Sequence, residues 1–152
     1  MIVVRKGNNS RRKKKMRIDY LKKQHVEIGE VLKKLEQMIV NEEKVLSEVR
    51  KITLIIAELS GKLKIHLTSE DKYLYPSLLD NSNSQVKSTA ERFMKEMGGL
   101  ADGLNKYKTQ YMKSSAIKED PKLFIKESRD IISKILKRVD AEEKRLYTLI
   151  KA

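Results

Sequence analysis

Five side chains occupy positions where helical periodicity demands apolar ones: His25, His66, Glu70, Arg138 and Glu142. Imidazoles and carboxylates are common donors to first-row metal ions. Buried without a partner, a charged group costs several kcal/mol, so these groups must meet each other, a metal or water. His66 and Glu70 are four residues apart, one turn along one helix face, and Arg138 and Glu142 repeat that spacing. A lone histidine of this kind is most simply a satisfied core residue. Five such residues at comparable depth weigh toward a site.

Helices must position them. Residues 18 to 39 carry Ile18, Leu21, His25, Ile28, Leu32, Leu35 and Ile39 at spacings of 3, 4, 3, 4, 3 and 4. Asn41 is suited to cap a second helix with Glu42 and Glu43 in its first turn. That helix is expected to run to about Leu79 along Ile52, Ile56, Leu59, Leu63, His66, Glu70 and Tyr73. Asp80 to Ser84 reads as a turn. A third helix follows Val86, Ala90, Phe93, Met97, Leu100, Leu104, Tyr107 and Tyr111, and a loop is expected from Ser114 to Asp120. Asp120-Pro121, a cap followed by proline, starts a fourth helix along Phe124, Ser128, Ile131, Ile135, Arg138, Glu142, Arg145 and Leu149. No segment alternates with period two over a useful length. The expected class is all-α, an antiparallel up-down-up-down four-helix bundle. Gly98 and Gly99 inside the third helix are expected to mark close packing or a frayed turn.

Composition narrows the function. The chain has 152 residues and no cysteine, which excludes a disulfide framework, a thiolate zinc site and a cysteine nucleophile. No apolar run approaches the ~20 residues of a membrane span, and the basic start lacks the apolar core of a secretory leader. The expected compartment is the cytoplasm. No Gly-rich phosphate loop and no nucleophile flanked by a base is evident, so a binding module is expected rather than an enzyme. The net charge is +13, and eight basic residues fall in the first 17 positions with no acid before Asp19. Residues 1–15 therefore read as a basic, mobile arm ahead of a bundle over residues 16–152. Arg11, Arg12, Lys13, Lys14 and Lys15 could bind anions. Lacking interleaved aromatics, they make a nucleic acid or anionic surface the weaker choice of partner.

A shift of 72 positions overlays the two halves. His66 falls on Arg138, Glu70 on Glu142, Leu74 on Leu146 and Tyr75 on Tyr147. At the same offset His25 falls on Met97, Ile28 on Leu100 and Leu32 on Leu104. The bundle reads as two helical hairpins related by a pseudo-two-fold axis. Tyr75 and Tyr147, at matching positions, are expected to wedge the helix ends, with their hydroxyls reaching water or a neighbour.

These residues resemble a family. His66-x3-Glu70-Asp71-x2-Leu74-Tyr75-Pro76 is similar to the signature of the hemerythrin-like, HHE cation-binding proteins. The stretch from Asp140 to Tyr147 resembles its second copy, and Leu21-x3-His25-x2-Ile28 the first-helix pattern. The resemblance implies a four-helix bundle with a non-haem di-iron centre that binds oxygen or handles or senses iron. It implies metal ligation by His25, His66, Glu70 and Glu142. Two positions depart: Met97 and Arg138 stand where the family places histidines, and Thr148 where proline is usual. A thioether is a poor iron ligand, and a guanidinium cannot ligate a metal. Arg138 is suited instead to fork onto Glu70 and Glu142 as a fixed cation. The expectation is an incomplete site that holds one iron ion or none, with zinc as the alternative metal. It would serve a small diatomic ligand or the metal itself. The competing expectation is a metal-free helical module that works through a protein partner.

Overall fold

The structure, a computed structural model, describes the backbone of residues 2–150 and the side chains of residues 11–150. Among the described residues it is all-helical. Four long helices, α1 (Ile2–Met38), α3 (Val49–Tyr73), α5 (Ser84–Tyr111) and α7 (Pro121–Ala141), are joined by three short ones. The short ones are α2 (Glu42–Ser47), α4 (Tyr75–Leu79) and α6 (Ser114–Glu119). The long helices close a ring of contacts, α1 on α3, α3 on α5, α5 on α7 and α7 back on α1. No helix among the described residues is long and apolar enough to cross a membrane.

Local chemistry sets most boundaries. Asn41 Oδ1 accepts from the Lys44 amide at 2.7 Å, and Asp120 caps α7 by accepting from Leu123 at 3.0 Å with Pro121 next in line. Asn83 caps α5 through the Gln85 amide at 2.9 Å. Four expectations need correction. First, α1 begins well before Ile18 and includes Arg11 to Lys15, whose side chains are strong helix formers. The side chains of the first ten residues of the expected arm lie outside the described residues. Second, the helix expected from Asn41 to Leu79 is three pieces, broken at Glu48 and Leu74. Pro76 accounts for the second break, because it has no N–H to return to Lys72 and disfavours helical backbone before it. Third, the loop expected at Ser114–Asp120 is mostly α6, anchored by the fully buried Ile117. Fourth, the last helix changes winding. After Ala141 it opens into a π-helical turn over Glu142–Leu146 and then tightens into a 3₁₀ turn over Tyr147–Leu149. Gly98 and Gly99 lie within α5, and a Cβ at either would meet nothing within 4 Å, so close packing does not require them.

The periodic residues form the core in two parts. The larger cluster is built on Ile28, Leu32 and Leu35 of α1, Ile52, Ile56 and Leu59 of α3, and Tyr107, Phe124 and Ile135 beyond them. The smaller gathers Leu21, Leu74, Ala90, Phe93 and Leu146. In sequence His25 falls between Leu21 and Ile28, and His66 between Leu63 and Leu74. The polar residues thus make a layer between two apolar clusters.

Candidate metal centre

Each histidine is oriented from its far side. His25 on α1 places Nδ1 2.8 Å from Glu143 Oε2, so that nitrogen carries the proton and donates it. His66 on α3 places Nδ1 2.7 Å from Gln24 Oε1. The Gln24 amide is itself oriented: its Nε2 donates to Ser69 Oγ at 3.2 Å, and that hydroxyl donates to the Ile65 carbonyl at 2.8 Å. His66 Nδ1 must therefore be the donor toward Gln24. Both rings turn Nε2 inward, 3.0 Å from each other. Glu142 Oε1, at the start of the π turn, lies 2.8 Å from His25 Nε2 and 3.3 Å from His66 Nε2. Such far-side bonds fix tautomer and ring orientation at metal sites.

Two further groups border this triangle. Glu70, fully buried, accepts from the Tyr147 hydroxyl at 2.9 Å through Oε2. Its Oε1 lies 3.5 Å from His66 Nε2 and has no hydrogen-bond partner. The Tyr147 oxygen also stands 3.2 Å from His25 Nε2, 3.4 Å from His66 Nε2 and 3.3 Å from Glu142 Oε1. Its ring stacks on that of His25, with centroids 5.4 Å apart. Arg138 stays on the outer side. Its Nε donates to Glu142 Oε2 at 2.9 Å, its Nη2 donates to Tyr75 at 3.1 Å, and its guanidinium covers the Phe93 ring at 4.7 Å.

The electrostatics follow from this packing. Burial acts to lower the pKa of His66, but the nearby carboxylates of Glu142 and Glu70 outweigh it and push the ring up to about 9. Burial acts to raise Glu142, yet the histidines and Arg138 hold its carboxyl well below the usual range. Burial, with the charge of Glu142 adding to it, pushes the Glu70 carboxyl up despite its contacts to His66 and Tyr147. Burial and then the two carboxylates push the Tyr147 phenol up.

The donor set fits a metal ion. One ligand atom from each of His25, His66 and Glu142 lies within 4.8 Å of the others. The separations of 2.8, 3.0 and 3.3 Å resemble those between neighbouring ligands on one ion, about 3.0–3.4 Å for bonds near 2.1 Å. Two inward Nε2 atoms, a carboxylate and an orphaned carboxylate oxygen converge on one place, where a metal ion would displace any proton held on the rings.

Of the residues expected at the site, His25, His66 and Glu142 converge and Glu70 adjoins them. Met97 is buried on α5. The expected fork of Arg138 onto both carboxylates is corrected: it pairs with Glu142 alone. Tyr75 accepts from its Nη2 and Phe93 lies against its face, while Glu70 faces Tyr147. Tyr147 sits at the helix end with its hydroxyl on neighbours, as expected, and those neighbours are the site residues. Gln24 and Glu143 escaped the sequence reading, although each adjoins a residue that reading singled out.

Comparison with known proteins bears on this geometry. No curated protein and no solved structure matches the chain. The family model described as the hemerythrin HHE cation binding domain matches residues 16–150, which include every residue of the site. The chain belongs to the hemerythrin HHE cation-binding family.

Proposed function

We propose that the chain is a one-ion member of this family, in which His25, His66, Glu142 and the adjoining Glu70 serve a single metal ion. Iron is the first choice and zinc the alternative. In this reading the four long helices run antiparallel as two hairpins, and the module binds or senses oxygen, another small diatomic ligand or the metal itself. It acts as a binding module rather than as an enzyme. The carrying observation is the convergence of two Nε2 atoms on Glu142 Oε1 while both Nδ1 atoms are tied back. When bound, the ion supplies Lewis acidity and a position for an exogenous ligand. The chain's own groups orient the rings, neutralise charge and keep the layer between two apolar clusters.

A second reading has its own observation. Arg138 already pairs with Glu142, and Tyr147 already donates to Glu70, so part of the layer is satisfied without a metal. That favours a helical module acting through a protein partner. Elemental analysis of wild type and His66→Ala, expressed with iron and zinc available, separates the two. About one ion per chain, lost in the variant, is the expected result. No metal in either protein favours the metal-free module, and about two ions in wild type would show that Met97 and Arg138 leave the second position competent.

A further inference from the structure

Four atoms, not three, share one centre. The Tyr147 oxygen stands 3.2 Å, 3.4 Å and 3.3 Å from His25 Nε2, His66 Nε2 and Glu142 Oε1. Those three are separated from one another by 3.0, 2.8 and 3.3 Å. All six edges fall within 2.8–3.4 Å, so the atoms form a nearly regular tetrahedron. Four donors about 2.0 Å from one tetrahedral ion stand about 3.3 Å apart.

The backbone explains how Tyr147 reaches this point. On a regular α-helix a residue five places beyond Glu142 would be turned about 140° from it. Here the π turn closes with the Tyr147 amide donating to the Glu142 carbonyl, which brings the two side chains to one face. Such one-turn π segments are frequent at functional sites.

We propose that Tyr147 is the fourth ligand, so that the site is a tetrahedral N2O2 centre of His25, His66, Glu142 and Tyr147, which takes an exogenous ligand by expanding to five-coordinate. This rests on the one-ion reading and deepens it. As the metal–oxygen bond forms, the Tyr147 O–H bond breaks and its proton passes to Glu70 Oε2, the acceptor 2.9 Å away. Glu70 is then a proton acceptor beside the metal rather than a ligand, and its protonated carboxyl returns a hydrogen bond to the phenolate oxygen. Tyr75, at the matching repeat position, bonds Arg138 instead and provides an internal control.

The test is the spectrum of the protein loaded with ferric iron, because an iron-bound phenolate gives a visible charge-transfer band that imidazole and carboxylate ligands do not. The expected result is a band in wild type and Tyr75→Phe that is absent from Tyr147→Phe. An iron-loaded wild type without the band, or a band that survives Tyr147→Phe, overturns the proposal and leaves the one-ion reading intact. A wild type that takes up no iron or zinc removes the one-ion reading and this proposal with it. Should Tyr147→Phe fail to fold by circular dichroism, zinc titration of wild type decides. Near-ultraviolet difference absorbance should show one of the six tyrosines ionised per zinc bound at neutral pH. Zinc bound with no ionised tyrosine overturns the assignment.

Discussion

The two repeat halves share a glutamate and a tyrosine at matching positions and use them differently. Tyr75 and Tyr147 correspond, and each reaches across to the other half: Tyr75 meets Arg138, while Tyr147 meets His66. Arg138 and His66 also correspond. On one side the crossing ends on an arginine whose charge is permanent. On the other it ends on an imidazole whose inward nitrogen can hold a proton or a metal. Glu142 serves both sides, with Oε1 on the histidines and Oε2 on Arg138. The difference teaches that one buried carboxylate can carry a permanent cation on one oxygen and two imidazoles on the other.

The most severe way to break this arrangement is Glu142→Ala, because both halves lose their shared partner. Arg138, only 10% exposed at its side chain, would be left without its carboxylate. Removing one member of a buried pair costs about 3–5 kcal/mol, so the urea midpoint should fall sharply and metal binding should be lost. A variant as stable as wild type would mean that the pair contributes little.

The comparison can also be sharpened by making the halves alike. Arg138→His combined with Met97→His restores imidazoles at both departing positions. Metal content should rise from about one ion per chain to about two. Unchanged stoichiometry would show that these two residues are not what limits the second position. A smaller effect comes from the groups behind the rings. Gln24→Ala and Glu143→Ala each remove the acceptor that fixes one Nδ1, and loss of such groups weakens metal affinity about 10–100-fold. Competition with a chelator reads this directly, and affinity within twofold of wild type would count against the tautomer argument.

How much of this was legible depends on where regular winding holds. Leu21, Ile28, Leu32 and Leu35 are all buried as the 3-4 spacing of α1 requires, and His25 is buried on the same track. His66, Glu70 and Glu142 were found in the same way. The track fails at the π turn. Arg145, expected on the inward line, is exposed, whereas Leu146 and Tyr147 are buried. A wider turn advances the register by a residue, and nothing in side-chain periodicity announces it. That is why periodicity alone does not say which neighbours the Tyr147 hydroxyl meets. The break before Pro76 follows from proline chemistry that was present in the sequence, whereas the break at Glu48 carries no comparable signal. Gln24 and Glu143 were illegible for a different reason: they act through hydrogen bonds to the outer nitrogens of the rings, and periodicity reports depth, not partners.

The mildest perturbation isolates the arginine side. Tyr75→Phe removes one hydroxyl, the acceptor of the 3.1 Å bond from Arg138, and leaves an apolar ring of nearly the same shape in the smaller core cluster. Arg138 keeps Glu142 and its place over Phe93. The expected cost is about 1 kcal/mol, the net worth of one such bond. Metal stoichiometry should not change, because the His25, His66 and Glu142 atoms do not touch this hydroxyl. Thermal melts with and without metal, run beside elemental analysis, read both quantities. A large loss of metal would mean that Tyr75 holds Arg138 in place for the benefit of the centre. The two halves would then be coupled through the arginine rather than merely joined at Glu142.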